Sequence, residues 1–469
     1  MPKEDRRAIH EATLTVMAET GIRIHSTLAR RDLQRAGALV DPKALVVRFP
    51  RDVVESLLRK VPKTLVLAGR TAEFDLPVDG THCYFSTDGC GFAVWEPGTR
   101  SRRDSVLEDV RRTALLADYL PHVSMYTPMV VPHDVPERAH VAYGVKAAME
   151  STQKHIWSES TSSPEEARTE VEMAALLAGS MEELRERHVL SAIICTVSPL
   201  VLDGGATDAA LVFAEHHVPV HVMSMAHMGV SAPVTLAGDL VVNHAETLAT
   251  ICAIEAHEPG APALYGSALS GMDPRTAAYL GGSPECDLLC ASTVDLAQYC
   301  GIPHSEGGFG SSARVPGVQA SLENTFATLT VAQEGAEIIG GLGCPDGSTL
   351  LSYEQFLVDH EIAGMVLRIL RGIDVNPETL AVDVIEKVGA GGGYLSQMHT
   401  LKHVREIYRP MLWDADPYDT WVQKGRKDAM DSAQEKVAWI LKNHEAAPLD
   451  REIRTELDRI VKAAAGKGT

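Results

Sequence analysis

Apolar residues along this chain follow two periods. From about residue 81 onward, short runs rich in β-type residues alternate with longer stretches whose apolar positions return every three or four residues. The short runs lie at 82–86, 123–129, 155–158, 189–196, 219–224, 263–267, 302–305 and 337–341. Helical stretches follow at 107–120, 137–151, 164–187, 207–217, 234–257, 285–300, 318–334 and 353–371. Eight strand-helix units joined by right-handed crossovers predict an α/β fold, a (β/α)8 TIM barrel over 81–375. An open doubly wound sheet uses the same units; the eightfold count is what favours closure.

Residues 1–80 lie outside the repeat. Ile9, Ala12, Val16 and Met17 share one helical face that Gly21 ends, a second helix spans about 28–36, and a third over 51–60 carries Val53, Val54, Leu57 and Leu58. Pro62 closes that helix before the short strand KTLVLAG. The region reads as an N-terminal helical cap. After the eighth unit, a helix at 376–388, a connector with glycines 389, 391, 392 and 393, and a tail rich in aromatic and charged residues predict a C-terminal helical extension over 376–469.

With 45% hydrophobic and 23% charged residues, the chain has the composition of a folded protein with a large core. Its formal charge of -20 would repel the phosphates of nucleic acid and anionic lipid, so neither is an expected partner. A charged start, MPKEDRRAIHEA, and apolar runs too short to span a bilayer point to a cytoplasmic protein. The eight cysteines form no CxxC pair, and are expected to be reduced and mostly buried. No P-loop and no helix-opening GxGxxG occurs, which leaves nucleotide binding without support, and the lack of a GxSxG elbow speaks against a serine hydrolase.

A barrel confines chemistry to the carboxyl ends of its strands. The candidates there are Ser86 and Asp88, Pro128, Trp157 and Glu159, Ser198, Met225 and His227, Ser267 and Ser270, His304 and Glu306, and Cys344 and Asp346. The seventh unit, GIPHSEGGFGSSARVPG, adds Phe309 and Arg314 in a glycine-rich loop, and Tyr353 opens the last barrel helix. Carboxylates beside aromatic rings suit a cation without hydrogen-bond donors, because only charge and π-faces can hold a quaternary ammonium. The competing reading of the seventh loop is a hydrated surface segment. Cys286 and Cys290 fit two buried small hydrophobes better than a metal site, and His216 and His217 fit a partly exposed helix end. Asp359, His360 and Glu361 are expected to face solvent or cap a neighbouring loop, whereas His227, His304 and Glu306 remain conceivable metal ligands of a barrel lyase or hydrolase.

The segments MGVSAPVTLAGDLVVNHAETLA, LYGSALSGMDPRTAAYLGGSPECDLL and LLSYEQFLVDHEIAGMVLRILRGIDVNPETLAVDVI, with the closing YRPMLWDADPYDTW, resemble the trimethylamine methyltransferase family over nearly the whole chain. The resemblance implies a barrel whose mouth receives a separate corrinoid protein. Archaeal trimethylamine enzymes of the family carry pyrrolysine there, and this chain has only standard residues. It thus resembles the pyrrolysine-free branch, which implies demethylation of a quaternary amine such as glycine betaine. Such a donor needs no activation, because its nitrogen already leaves as a neutral amine.

On that basis Glu306 and Glu159 are expected to face the ammonium, Trp157, Phe309 and Tyr353 to wall it, and His304, His227 and Arg314 to hold a substrate carboxylate. The DxHxxG signature of cobalamin-binding partners is absent, so the expected cobalamin is supplied by the corrinoid protein and no metal or cofactor is held tightly by this chain. A homo-oligomer is expected. Rival readings are a methyltransferase for another methylated amine and a non-catalytic betaine-binding barrel.

Overall fold

The computed structural model describes residues 1–273, 275, 276 and 278–466. Eight parallel strands, Tyr84–Thr87, Met125–Tyr126, His155–Ser160, Leu190–Cys195, Val220–Ser224, Ala263–Ser267, His304–Gly307 and Ile338–Leu342, pair in chain order. The last pairs with the first, so the barrel is closed and the open-sheet alternative is excluded. Each observed strand overlaps its predicted run.

Serines set several helix starts. Ser163, Ser283 and Ser352 each accept the amide of the third residue onward, and the first two are followed by a proline whose missing N–H costs nothing at that position. The predicted helix over 164–187 is two helices, Pro164–Ala178 and Met181–Glu186, because Gly179 takes φ 110° and Ser180 caps a fresh start. The predicted helix over 376–388 is likewise split, at Ala381.

The cap carries the three expected helices, Lys3–Glu19, Thr27–Arg35 and Arg51–Leu58. It also holds the strand expected at KTLVLAG, Leu65–Leu67, and others that periodicity did not signal. Ile22–Ile24, Leu39–Asp41 and Val46–Arg48 form a sheet with Val201–Leu202 from the barrel, so the cap is stitched to the fourth barrel loop. The hairpin of Leu65–Leu67 and Leu76–Val78 plugs the barrel floor, where Leu65, Leu67, Leu76 and Val78 meet Met125, Trp157, Leu264 and Ile338. Burying these side chains contributes roughly 1.5–3 kcal/mol each. The plug leaves the carboxyl end as the side on which a site can open.

Helix Leu236–His257 is buried over most of its circumference because the first two cap helices pack on its outer face. Two terminal helices, Ala429–Asn443 and Arg451–Gly466, return to the barrel and bury Ala433, Val437, Ile440, Leu457, Ile460 and Val461. Between the barrel and these helices, residues 371–411 run over the outside. No helix among the described residues is long and apolar enough to cross a membrane.

Candidate active site

Strand register decides what faces the barrel interior. Trp157 pairs with Ser191, Ile193 with His221, and Cys195 with Met223. These side chains share the inner face, and Glu159, two residues beyond Trp157, follows it at a bulge. Above the floor they open into a cavity of about 220 Å³ at the carboxyl end, lined also by Asp88, Tyr279, Asp287, Glu306 and Phe309. That volume suits a small molecule.

Four carboxyl groups line this chamber, Asp88, Glu159, Asp287 and Glu306, and no Lys, Arg or His does among the described residues. Removal from water, with Glu170 and Asp88 adding repulsion, pushes the Glu159 carboxyl well above the usual carboxylate range. Burial also raises Asp88 to about 6 and Asp287 to about 6. Behind Glu159, buried Glu170 accepts from the Thr161 hydroxyl at 2.8 Å, and its carboxyl rises to about 8. Asp88 Oδ2 is buried with no hydrogen-bond partner. Leaving such a group unpaired costs about 1–3 kcal/mol, more when it is charged, so this lining favours neutral acids.

Glu306 reaches the chamber from an unexpected side. It pairs in register with Ser267, on the strand face that also carries Tyr265, whose hydroxyl meets helix Leu236–His257. Its Oε2 accepts from the Ser267 hydroxyl and from Thr293 on the neighbouring helix, the latter at 2.7 Å. Oε1 is buried and unpartnered, and burial drives this carboxyl well above its ordinary range.

Three aromatic rings complete the walls. Trp157 lies across the floor, tilted on His221 with centroids 4.2 Å apart, and its Nε1 has no partner. Phe309 meets Phe85 edge-on at 6.0 Å and is seated by Gly341, where φ is 111° and an added Cβ would fall 3.2 Å from Phe309. Tyr279 comes from the loop after the sixth strand and fits over Gly347, where an added Cβ would fall 2.8 Å from its ring.

Four of the remaining expected residues lie elsewhere. His304, expected at the mouth, begins its strand and so lies at the amino-terminal end, its Nδ1 3.1 Å from Glu337. Arg314 is exposed and paired with Asp346, which Arg102 also grips at 2.6 Å, so its charge is spent on tying two loops together. Tyr353 donates to Asp109 at 2.7 Å and does not wall the chamber. His227 sits on the rim in a two-stranded ribbon, its Nδ1 2.7 Å from the Ser270 hydroxyl and its ring edge-on to Tyr279 at 6.1 Å. His227, His304 and Glu306 therefore do not converge as metal ligands.

Sequence reasoning passed over four contributors, Asp287, Tyr279, Cys286 and Cys290. Cys286 and Cys290 are buried small side chains as expected, but they also line the chamber. Tyr279 carries no periodic signal in its loop. Asp359, His360 and Glu361 are buried rather than solvent-facing: Asp359 accepts the Gly343 amide, and Glu361 accepts the amides of Met411 and Leu412. In that capping role the expectation holds.

A closed eightfold barrel with its floor plugged and one acid-lined and aromatic-lined chamber at the carboxyl end is the architecture of a (β/α)8-barrel small-molecule protein. The chain belongs to the trimethylamine methyltransferase family, whose model, described as Trimethylamine methyltransferase (MTTB), matches residues 1–466. It is 34% identical to a trimethylamine methyltransferase of Desulfitobacterium hafniense over 98% of this chain and 92% of that protein. A trimethylamine methyltransferase of Methanosarcina barkeri is 33% identical over 98% of this chain and 94% of its own length. A glycine betaine methyltransferase of Desulfitobacterium hafniense is 32% identical over 100% of this chain and 97% of that protein.

Proposed function

We propose that this chain takes a methyl group from a small quaternary amine, glycine betaine or a relative of it, and delivers it to a corrinoid held by a separate cytoplasmic protein. The observation that carries this reading is the chamber itself: carboxyl groups with unpaired buried oxygens and three aromatic rings around a space with no cationic side chain among the described residues. Family membership supplies the reaction class. The chamber admits a methylated amine and is too small for a corrin ring, which fits a cofactor presented at the mouth by another protein. When presented there, Co(I) supplies the nucleophile.

The chain's own residues bind, orient and dehydrate the donor. Glu159 and Asp88 compensate the fixed charge, Trp157, Tyr279 and Phe309 offer their faces to the N-methyl groups, and the plugged floor keeps water out. Breaking the N–CH3 bond leaves its electron pair on nitrogen, so the amine departs neutral and no side chain need move a proton. Alignment of one methyl group toward the mouth is the main catalytic contribution.

The absence of a basic lining residue among the described residues favours a second donor class, a quaternary amine whose other end is an uncharged hydroxyl, such as choline. A betaine carboxylate would have to accept from Trp157 Nε1 or from protonated carboxyl groups. Calorimetric titration with glycine betaine, choline and tetramethylammonium, together with visible-absorption assays of methyl transfer to Co(I) cobalamin, separates the classes. Binding without transfer in the presence of the cognate corrinoid protein would make the chain a binding protein, and failure of all three cations to bind would end the proposal.

The exposed apolar side chains of 371–411, among them Ile373, Leu395 and Met398, support a homo-oligomer in which this arm meets a second copy.

A further inference from the structure

His10, His244 and Cys300 come from three helices far apart in sequence, and their side-chain donors lie within 4.8 Å of one another. His10 belongs to the first cap helix, His244 to the long buried helix Leu236–His257, and Cys300 ends helix Pro284–Cys300. His10 Nδ1 and His244 Nε2 are 3.0 Å apart, and Cys300 Sγ is 4.0 Å from each. Nothing in the methyl-transfer chamber uses this cluster.

We infer that these residues form a zinc site that fastens the N-terminal helix to the barrel. A tetrahedral Zn²⁺ with Zn–N of about 2.0–2.1 Å and Zn–S of about 2.3 Å places its donors roughly 3.3–3.6 Å apart. The observed triangle brackets that spacing, so each donor moves by only about half an ångström to close on an ion.

The surroundings orient the ring as a metal ligand requires. The Tyr265 hydroxyl donates to Asn243 Oδ1 at 3.2 Å, and its oxygen lies 2.9 Å from His244 Nδ1. That hydroxyl therefore accepts from Nδ1–H, which leaves the lone pair of Nε2 pointing at His10 and Cys300. Tyr299 packs its ring on His10 at 5.1 Å and limits how far that imidazole can swing.

Binding converts the Cys300 thiol to a thiolate and releases its proton to solvent, with no change in oxidation state. With three protein donors, a water ligand would complete the tetrahedron. The softer thiolate and two imidazoles select Zn²⁺ over Mg²⁺ or Ca²⁺, which prefer oxygen.

The full-length protein, stripped with a chelator and dialysed, tests the inference through Co²⁺ titration by absorption and Zn²⁺ titration by calorimetry. One Co²⁺ per chain with a near-ultraviolet thiolate charge-transfer band, displaced by one Zn²⁺, is the expected result. Cys300→Ser should abolish the band, and Tyr265→Phe should weaken Zn²⁺ binding by about 10–100-fold, as for other groups that orient a ligating histidine. Chelation should lower the melting temperature, and Zn²⁺ should restore it. Failure of the unmutated protein to bind one equivalent, or a spectrum without the thiolate band, overturns the site even if the variants do not fold. A band that survives in Cys300→Ser overturns it as well.

Discussion

The chamber and the arm over 371–411 break the usual rule of burial in opposite directions. In the chamber, polar atoms are buried without partners: Asp88 Oδ2, Glu306 Oε1 and Trp157 Nε1 have no hydrogen bond. In the arm, apolar groups stand in water: Ile373 is 88% exposed, Leu395 93% and Met398 75%. Each region carries a local cost that its own fold does not offset. The difference lies in what would offset it, a compact cation in one case and an extended apolar surface in the other.

The largest expected effect comes from removing charge in the chamber. Glu159→Gln keeps the shape and deletes the carboxylate that faces the interior, and affinity for a quaternary amine should fall about a hundredfold, the lower end of the roughly 3–5 kcal/mol cost of breaking a buried charge pair. Calorimetry with tetramethylammonium reads it directly. An unchanged dissociation constant would mean that the cation is held elsewhere, and the comparison between the two regions would collapse.

The arm offers the complementary experiment. Leu395→Asp with Ile373→Asp places charges where a second copy should cover apolar surface, and the dissociation constant of the oligomer should rise about thirtyfold, for a burial cost near 2 kcal/mol. Analytical ultracentrifugation across a concentration series is the measurement. A monomer at all concentrations in the parent protein, or an oligomer indifferent to both charges, would leave the arm without its assigned partner.

Acidity sharpens the chamber side further. A bound cation stabilises the ionised form of its neighbours, so affinity should climb as those groups lose their protons. With Asp88 raised to about 6, that group alone gives a roughly tenfold gain from about pH 5 to about pH 8, and protons should be released on binding. Calorimetry in buffers of different ionisation enthalpy counts those protons. The empty protein should show the reverse slope in stability. Carboxyl groups raised in the folded state favour it below their unfolded value, and that contribution fades as pH rises toward the folded value. Glu306→Gln should accordingly raise the melting temperature of the ligand-free protein by a few degrees near pH 8.

How much of this was readable beforehand depends on how many residues carry each signal. The eight strand runs and their helices span enough positions for periodicity to declare itself, and the barrel follows. Cap strands such as Ile22–Ile24 have three residues, too few for an alternation to stand out from the helices around them. Strand-end position picked out Glu159, Trp157 and Glu306 as cavity residues. It could not tell that His304 begins its strand or that Glu306 sits on the face shared with Tyr265, because those facts depend on register across neighbouring strands. Tyr279 belongs to an irregular loop, where no spacing rule applies.

Arg314 gives the smallest expected effect and for that reason the cleanest check on the chamber's boundary. Among basic residues near the mouth it was the natural partner for a substrate carboxylate, yet its guanidinium is paired with Asp346 and its side chain is 61% exposed. Asp346 keeps Arg102 when Arg314 is removed. An exposed pair with a spare partner contributes at most about 1 kcal/mol, so Arg314→Ala should change affinity for glycine betaine less than about twofold while slightly loosening the loops it joins. A tenfold loss specific to glycine betaine, with tetramethylammonium unaffected, would show that the loop swings inward to meet a carboxylate. The acid-lined chamber would then need its basic counterpart after all, and the choice between a betaine and a neutral-ended donor would turn on that one side chain.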